Sequence, residues 1–348
     1  MNIKRKKLIS ILLALGMVFT ILPFRALADG VNVGDYVILG KYYDEPILWR
    51  CVDIENGAPL MLSDKILCIK PFDAAGEHPN DYNDQRLFGG SNLWATSNLR
   101  SWLNSAATAG KVQWLCGNPP TADKVSGGDN SYADEKGFLA EGNFSASERS
   151  IIKQVTQKSL LNYQDRDLAA TGSTEHLYVL NISGVLGNYS AAYANNVTDR
   201  MFLLDVAQVY QVYANRGVLG DSYYLGQPTT QCVENSELIN APISTGNNWL
   251  YWLRSPIAND SYPAFVRYVN SDDYVYNAGA NSGFLGVRPA FFINLSSVIF
   301  ISGDGSIDDP YVIGGDGSGS SIPGDINGDG KVDATDLSIL IANFGKTL

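Results

Sequence analysis

The 348-residue sequence predicts an α+β fold with few helices and much irregular chain, followed by a small C-terminal loop-helix module. Three observations lead there. Short apolar runs of strand length recur between Gly- and Asn-containing turns. Helical periodicity is confined to a few short stretches. The composition changes abruptly at Gly315-Asp316-Gly317-Ser318-Gly319-Ser320-Ser321, a flexible linker. With 45% hydrophobic and only 18% charged residues, the chain can bury a sizeable core. Its net charge of −11 argues against a nucleic-acid partner, which would favour a basic face.

The first 28 residues are expected to lie outside the fold. Lys4, Arg5, Lys6 and Lys7 precede a mostly apolar run from Leu8 to Leu22, and Ala26-Leu27-Ala28 supplies small residues for cleavage before Asp29. This is the pattern of a secretory signal peptide. Its apolar core is short for a spanning helix, so no membrane span is expected after cleavage, and the product is expected outside the cell or on its surface. Cleavage removes five basic residues and no acidic one, taking the net charge to −16. The rest divides into a main domain (29–314), the linker (315–322) and the small module (323–348).

Within the main domain, Tyr36-Val37-Ile38-Leu39, Pro46-Ile47-Leu48-Trp49 and Pro59-Leu60-Met61-Leu62 read as strands, with turns at Gly40, Asp44 and Asn56-Gly57. Leu99, Trp102 and Leu103 give one face of a helix over Ser97–Asn104. Gly117–Gly142 is polar and Gly-rich, and reads as a surface excursion. Ser145 and Glu148 form a capping box opening a helix expected to run from Ala146 to Lys158. Met201–Leu204 reads as a buried strand and Val206–Tyr213 as a short helix. Gly217–Asn248 is loop-rich, and strands return at Leu250–Arg254, Ala264–Val269 and Val287–Asn294. Ser297–Gly314 finishes the domain, with a turn at Gly303-Asp304-Gly305. Cys51, Cys68, Cys116 and Cys232 show no disulfide framework and no CxxC pair. Cys51 and Cys68, set in apolar runs, read as buried thiols.

The strongest motif is Asp325-Ile326-Asn327-Gly328-Asp329-Gly330-Lys331-Val332-Asp333-Ala334-Thr335-Asp336. Oxygen-bearing side chains fall at loop positions 1, 3, 5, 9 and 12, and Gly330 sits where the loop must turn sharply. Lys331 offers its backbone carbonyl at position 7. Asp325, Asn327, Asp329, Lys331, Asp333 and Asp336 are thus the expected ligands of one Ca2+ ion. Leu337, Leu340, Ile341 and Phe344 then form an apolar helical stripe. A calcium loop with only an exiting helix resembles a dockerin repeat. That resemblance, over about Gly324–Gly345, implies docking to a cohesin-bearing scaffold protein. By that resemblance Ala334 and Thr335 stand at the usual recognition pair, and the apolar stripe is expected to meet another surface: a receptor, a second chain or the main domain. Dockerins usually carry two such repeats, and here there is one.

Trp252-Leu253-Arg254-Ser255-Pro256 and Gly286-Val287-Arg288-Pro289-Ala290-Phe291 form a second informative pair. With Gly34-Asp35-Tyr36, Ile47-Leu48-Trp49-Arg50, Asn98–Asn104 and Phe202-Leu203-Leu204-Asp205, they resemble a family of uncharacterised bacterial secreted domains. The ending is also similar to C-type-lectin-like folds of the formylglycine-generating-enzyme and variable-receptor kind, which implies a C-type-lectin-like main domain. Arg254 and Arg288 are expected to tie strands and loops together through their planar forks, and Trp49, Trp102 and Trp252 to fill the core. Between the two motifs the chain is rich in Asn, Ser, Asp and Tyr, a composition suited to adaptable recognition. In variable receptors the corresponding stretch contacts ligand. This implies that Tyr262, Tyr268, Tyr274 and Tyr276 bind a glycan or a surface protein, the alternative being an ordinary polar hairpin face.

Catalytic signals are weak. Formylglycine-type oxidation needs a reactive cysteine pair near the end of the fold, where Cys232 stands alone. His78 and His176, the only histidines, both precede Gly220-Asp221-Ser222, so a lipase-like order lacks its base. Ser150-Ile151-Ile152-Lys153 fits Ser-x-x-Lys without a supporting motif. The expected role is therefore secreted, non-catalytic ligand or carbohydrate binding, with the dockerin-like module providing assembly or display. The alternative is a polysaccharide-degrading glycoside hydrolase delivered by the same module.

Overall fold

The computed structural model describes residues 30–76, 84–165, 180–188, 194–238, 242–257, 263–315 and 334–343. The N-terminal 28 residues, His78, His176, linker residues 316–322 and the loop Asp325–Asp333 lie outside the described residues, while Gly315, the expected first linker residue, ends the last strand. The chain starts as an antiparallel meander of β1 (Tyr36–Tyr42), β2 (Glu45–Glu55) and β3 (Ala58–Ser63), followed by a short β4 (Cys68–Ile69). Helices α1 (Asp84–Gly89), α2 (Asn98–Leu103) and α3 (Ala146–Ile151) precede β5 (Ile152–Lys153) and β6 (Val155–Leu160). Next come β7 (Leu180–Asn181), β8 (Ala194–Asp199) and helices α4 (Val206–Ala214), α5 (Arg216–Leu219) and α6 (Thr230–Glu234). The main segment ends with β9 (Tyr251–Pro256), β10 (Phe265–Val269), β11 (Tyr274–Gly279), β12 (Gly286–Val287), β13 (Ala290–Ile293), β14 (Val298–Ser302) and β15 (Tyr311–Gly315). Helix α7 (Ala334–Asn343) belongs to the C-terminal segment.

The fold is α+β, with short helices and many strands in sheets. One sheet runs β14-β15-β1-β2-β3-β13-β5, a second runs β4-β12-β9-β10-β11-β7, and β6 and β8 form a separate ribbon. Trp49, Trp102 and Trp252 are all fully buried, as their apolar surroundings require. Trp49 packs edge-on against Phe291, with ring centroids 4.8 Å apart, and its indole N–H donates to the Leu39 carbonyl. All four cysteines are free and buried. Burial pushes the thiols of Cys51, Cys68 and Cys116 up to about 12, so they keep their protons and make poor nucleophiles.

Three expectations are corrected. The capping box at Ser145 and Glu148 forms, but its helix stops at Ile151 rather than Lys158. Asn294 N–H donates to the Ile151 carbonyl, and Ile152-Lys153 pair with β13, so the sheet takes the backbone groups that another helical turn would use. Val155–Leu160 then pairs with β8. Met201–Leu204 is buried but forms only a single bridge, Phe202 to Ala290. Side chains replace the missing ladder: Asn104 bonds both the N–H and the carbonyl of Met201, and Arg254 donates to the Leu203 carbonyl. The excursion Gly117–Gly142 is a packed segment. Tyr132, Phe138 and Leu139 enter the core, and Asn118 and Asn130 bond neighbouring carbonyls.

Candidate functional site

The hairpin of β10 and β11 places three of the four singled-out tyrosines on one face. Tyr262 lies outside the described residues. Tyr268 and Tyr276 are directly opposite in the antiparallel register, with near-parallel rings 6.1 Å apart. Tyr274 precedes Tyr276 by two residues and so shares its face, with ring centroids 6.0 Å apart. On the other side Tyr268 pairs with Trp252 of β9, their rings meeting edge-on at 6.4 Å. The result is one aromatic row across three strands. It runs from the fully buried Trp252 through half-buried Tyr268 and Tyr276 to Tyr274, which is 40% exposed. Val269 and Val275, on the alternate positions, belong to the core. Period-two alternation thus puts the valines in the core and leaves the tyrosine face open at its Tyr274 end.

The turn joining the strands is exposed at Ser271, Asp272 and Asp273. Asn270 donates to Asp272 at 2.7 Å, which shapes the turn locally. Tyr224 donates its hydroxyl to the Asp273 carboxylate. Burial and that carboxylate push the Tyr224 phenol up, so it keeps its proton and remains a donor. Behind it, Tyr213 of α4 meets Tyr224 edge-on at 5.4 Å, and Arg216 lies over the Tyr213 ring. Tyr213 and Tyr224 were not singled out in the sequence, because a helix and a loop bring them to the turn from more than 45 residues away.

Both arginines of the paired motifs have structural roles. Arg254 is buried and ion-paired to Asp205 at 3.0 Å, with further bonds to Gln208 and the Leu203 carbonyl. Arg288 donates to the carbonyls of Ser63, Tyr223 and Asp64. Several carboxylates are likewise occupied: Asp199 by Arg100 and Trp94, Asp165 by Arg86, and Asp73 by the backbone N–H groups of Ser91 and Asn98. Ser150 donates to the Ser147 carbonyl, and Lys153 is exposed on β5.

One family model matches this chain over residues 56–295, described as a Domain of unknown function (DUF6273). The chain belongs to that family. The match begins at the β2–β3 turn and ends just after β13, so it takes in the whole aromatic row and both arginine motifs. β14, β15 and the C-terminal segment fall outside it. No curated protein and no solved structure matches the chain.

In the C-terminal segment, helix α7 starts at Ala334, so Ala334, Thr335, Asp336, Leu337 and Ile341 are helical. Leu337 and Ile341 are 56% and 66% exposed, and Ala334 and Thr335 are exposed. Asp336, the expected twelfth-position ligand, is buried on the first turn. Asp325, Asn327, Asp329, Lys331, Asp333 and Phe344 lie outside the described residues, and of Leu340 only its helical backbone is described. Among the described residues no group of three acidic, histidine or cysteine side chains could hold a metal ion. Nor is any helix among them long and apolar enough to cross a membrane.

Proposed function

We propose that this chain is a secreted, non-catalytic binding protein that engages a glycan through the β10–β11 tyrosine face and is displayed through a calcium-dependent C-terminal module. The observation that carries the reading is the graded aromatic row. Its buried end at Trp252 holds the hairpin rigid, and its open end at Tyr274 offers an aromatic ring beside the polar turn Ser271–Asp273. A ring presented next to carboxylates and amides can stack on the apolar face of a sugar while the polar groups bond its hydroxyls. Tyrosine suits this because it brings a large contact area at low entropic cost.

The C-terminal module fits the same reading. Asp336 faces inward on the first turn of α7, where the final ligand of a calcium loop belongs, and the neighbouring apolar positions Leu337 and Ile341 face outward. Asp325, Asn327, Asp329, Lys331 and Asp333 would supply the remaining oxygens, and the ion would order the loop against the helix. The outward stripe then suits a cohesin-type partner on a scaffold protein.

Glycan-array binding by the full chain, with Tyr274→Ala and Tyr276→Ala in parallel, tests the first half. Binding lost in both variants supports the tyrosine face, and binding unchanged in both removes it. Calcium titration with a cohesin module tests the second half. No calcium-dependent ordering or capture means that the module does not dock in this way.

A further inference from the structure

A second concave site is lined by none of the hairpin's residues. Tyr223, one of its lining residues, belongs to a run of five side chains joined by cation–π contacts. The Arg50 guanidinium sits between the rings of Tyr36 and Tyr223, at 4.8 and 4.6 Å from their centroids. The Arg288 guanidinium sits between Tyr223 and Tyr251, at 4.7 and 5.4 Å. Each contact is a cation–π pair, and Tyr223 takes part in two of them. The site is a cleft of about 270 Å³. Its wall includes the turn at Gly220, whose φ of +98° is a left-handed conformation that glycine adopts without strain.

The cleft gathers Asp64, Lys65, Asp221, Ser222, Gln227 and Asn248. Among the described residues these six side chains make no hydrogen bond or ion pair, whereas Asp165, Asp199 and Asp205 are all paired. Their donors and acceptors are therefore free to meet a ligand. The signs of charge are mixed. Two carboxylates share the lining with Lys65, and the neighbouring arginines have donors already bonded to carbonyls: Arg50 to Gly34, Leu219 and Val218, and Arg288 to Ser63, Tyr223 and Asp64. A simple anion would meet Asp64 and Asp221, and a simple cation would meet Lys65 and the two neighbouring guanidinium groups. A neutral ligand rich in hydroxyls avoids both penalties. Carboxylates accept from its hydroxyls, Lys65 donates to them, and Gln227 and Asn248 do both. Drug-sized ligands take pockets of about 300–1,000 Å³, so this smaller cleft suits a single ring.

We infer that this cleft is a binding site for one neutral pyranose, separate from the tyrosine face. The assignment does not rest on the tyrosine reading. The test is saturation-transfer NMR on the full chain with glucose, galactose, mannose and N-acetylglucosamine, with inorganic phosphate added as a competitor whose binding is read from loss of the sugar signal. At least one sugar is expected to bind at millimolar strength, as single small rings do, and Asp64→Asn to weaken it about tenfold or more. Asp221→Asn and Gln227→Ala, at exposed positions, are expected to weaken it in the same direction without disturbing the fold. Tyr274→Ala is expected to leave it unchanged, which separates this site from the hairpin. The assignment is overturned if no sugar binds at about 50 mM, far above the expected range. It is also overturned if binding survives all three cleft variants, or if phosphate binds in preference.

Discussion

Two aromatic assemblies in this molecule use similar residues for opposite ends. Around Trp102, the rings of Tyr42, Tyr132 and Phe138 pack within 6 Å, and all are buried. Their enclosure is already filled. The Lys70 ammonium lies 4.9 Å from the Trp102 ring and 4.8 Å from the Tyr132 ring, and is ion-paired to Glu135 at 2.5 Å. The row Trp252–Tyr268–Tyr276–Tyr274 has the same chemistry but one open end. An aromatic cluster that holds a cation from its own chain is structural, whereas one that ends at the surface is available to a ligand. What distinguishes them is occupancy and burial, and residue type alone does not.

The largest effect should come from the closed end of the row. Trp252→Ala is expected to cost about 3–5 kcal/mol of unfolding free energy, because it leaves a cavity beside Phe72 and Tyr268. Denaturant titration measures this, and a loss below about 1 kcal/mol would mean that the row is not anchored there. Glu135→Ala comes next. It leaves the buried Lys70 ammonium with aromatic faces only, for a loss of about 2–3 kcal/mol. That lies below the full buried-pair figure because Glu135 is 34% exposed. Lys70→Met, which removes the charge and keeps the volume, should stay within about 1 kcal/mol of the parent. If Lys70→Met is the worse of the two, the cage depends on its cation.

Asp73, bonded at the start of α2, gives the fold a pH signature. Burial raises its carboxyl to about 7, although the N–H groups of Ser91 and Asn98 favour the ionised form. The unfolded value is near 4, so the native state holds the proton more tightly. Its contribution to stability is then complete below about pH 4 and is lost as pH rises through about 7. Asp73→Asn, which mimics the protonated form, should flatten that part of the stability–pH curve. An unchanged slope would assign the dependence to another group. The smallest stability effect belongs to the open end. Tyr274→Ala should move the unfolding free energy by less than about 0.5 kcal/mol, while weakening ligand binding at least about tenfold. A large stability loss there would make the open end structural as well.

Much of this was legible along the chain. β1, β2 and β3 follow from apolar runs separated by Asp44 and Asn56-Gly57, where Asp44 and Asn56 indeed take positive φ. α2 begins at Ser97, whose hydroxyl accepts from the Arg100 N–H. The Ser145–Glu148 box forms as written, and a second box, Asp205–Gln208, opens α4 on the same logic although it was not singled out. The burial of Cys51, Cys68, Trp49, Trp102 and Trp252 and the structural roles of Arg254 and Arg288 also follow from residue chemistry. Other features had no local signal. Nothing near Lys70 marks it as buried, because its aromatic walls and Glu135 come from segments 30 and more residues away. The polar cleft likewise joins residues 64–65, 221–227 and 248, which no motif links.

The sequence by itself determined the elements whose cause lies within a few residues: turns, caps, strand alternation, and the oxygen spacing of the Asp325–Asp336 loop. Only the tertiary structure decided where α3 ends, which loops are buried, and which tyrosines line up. Those outcomes depend on partners brought together across the chain. Asn294 and β13 claim the backbone after Ile151, and the β10–β11 register sets Tyr268 against Tyr276. Backbone hydrogen bonds must be satisfied somewhere, and when a distant strand satisfies them the local helical pattern gives way.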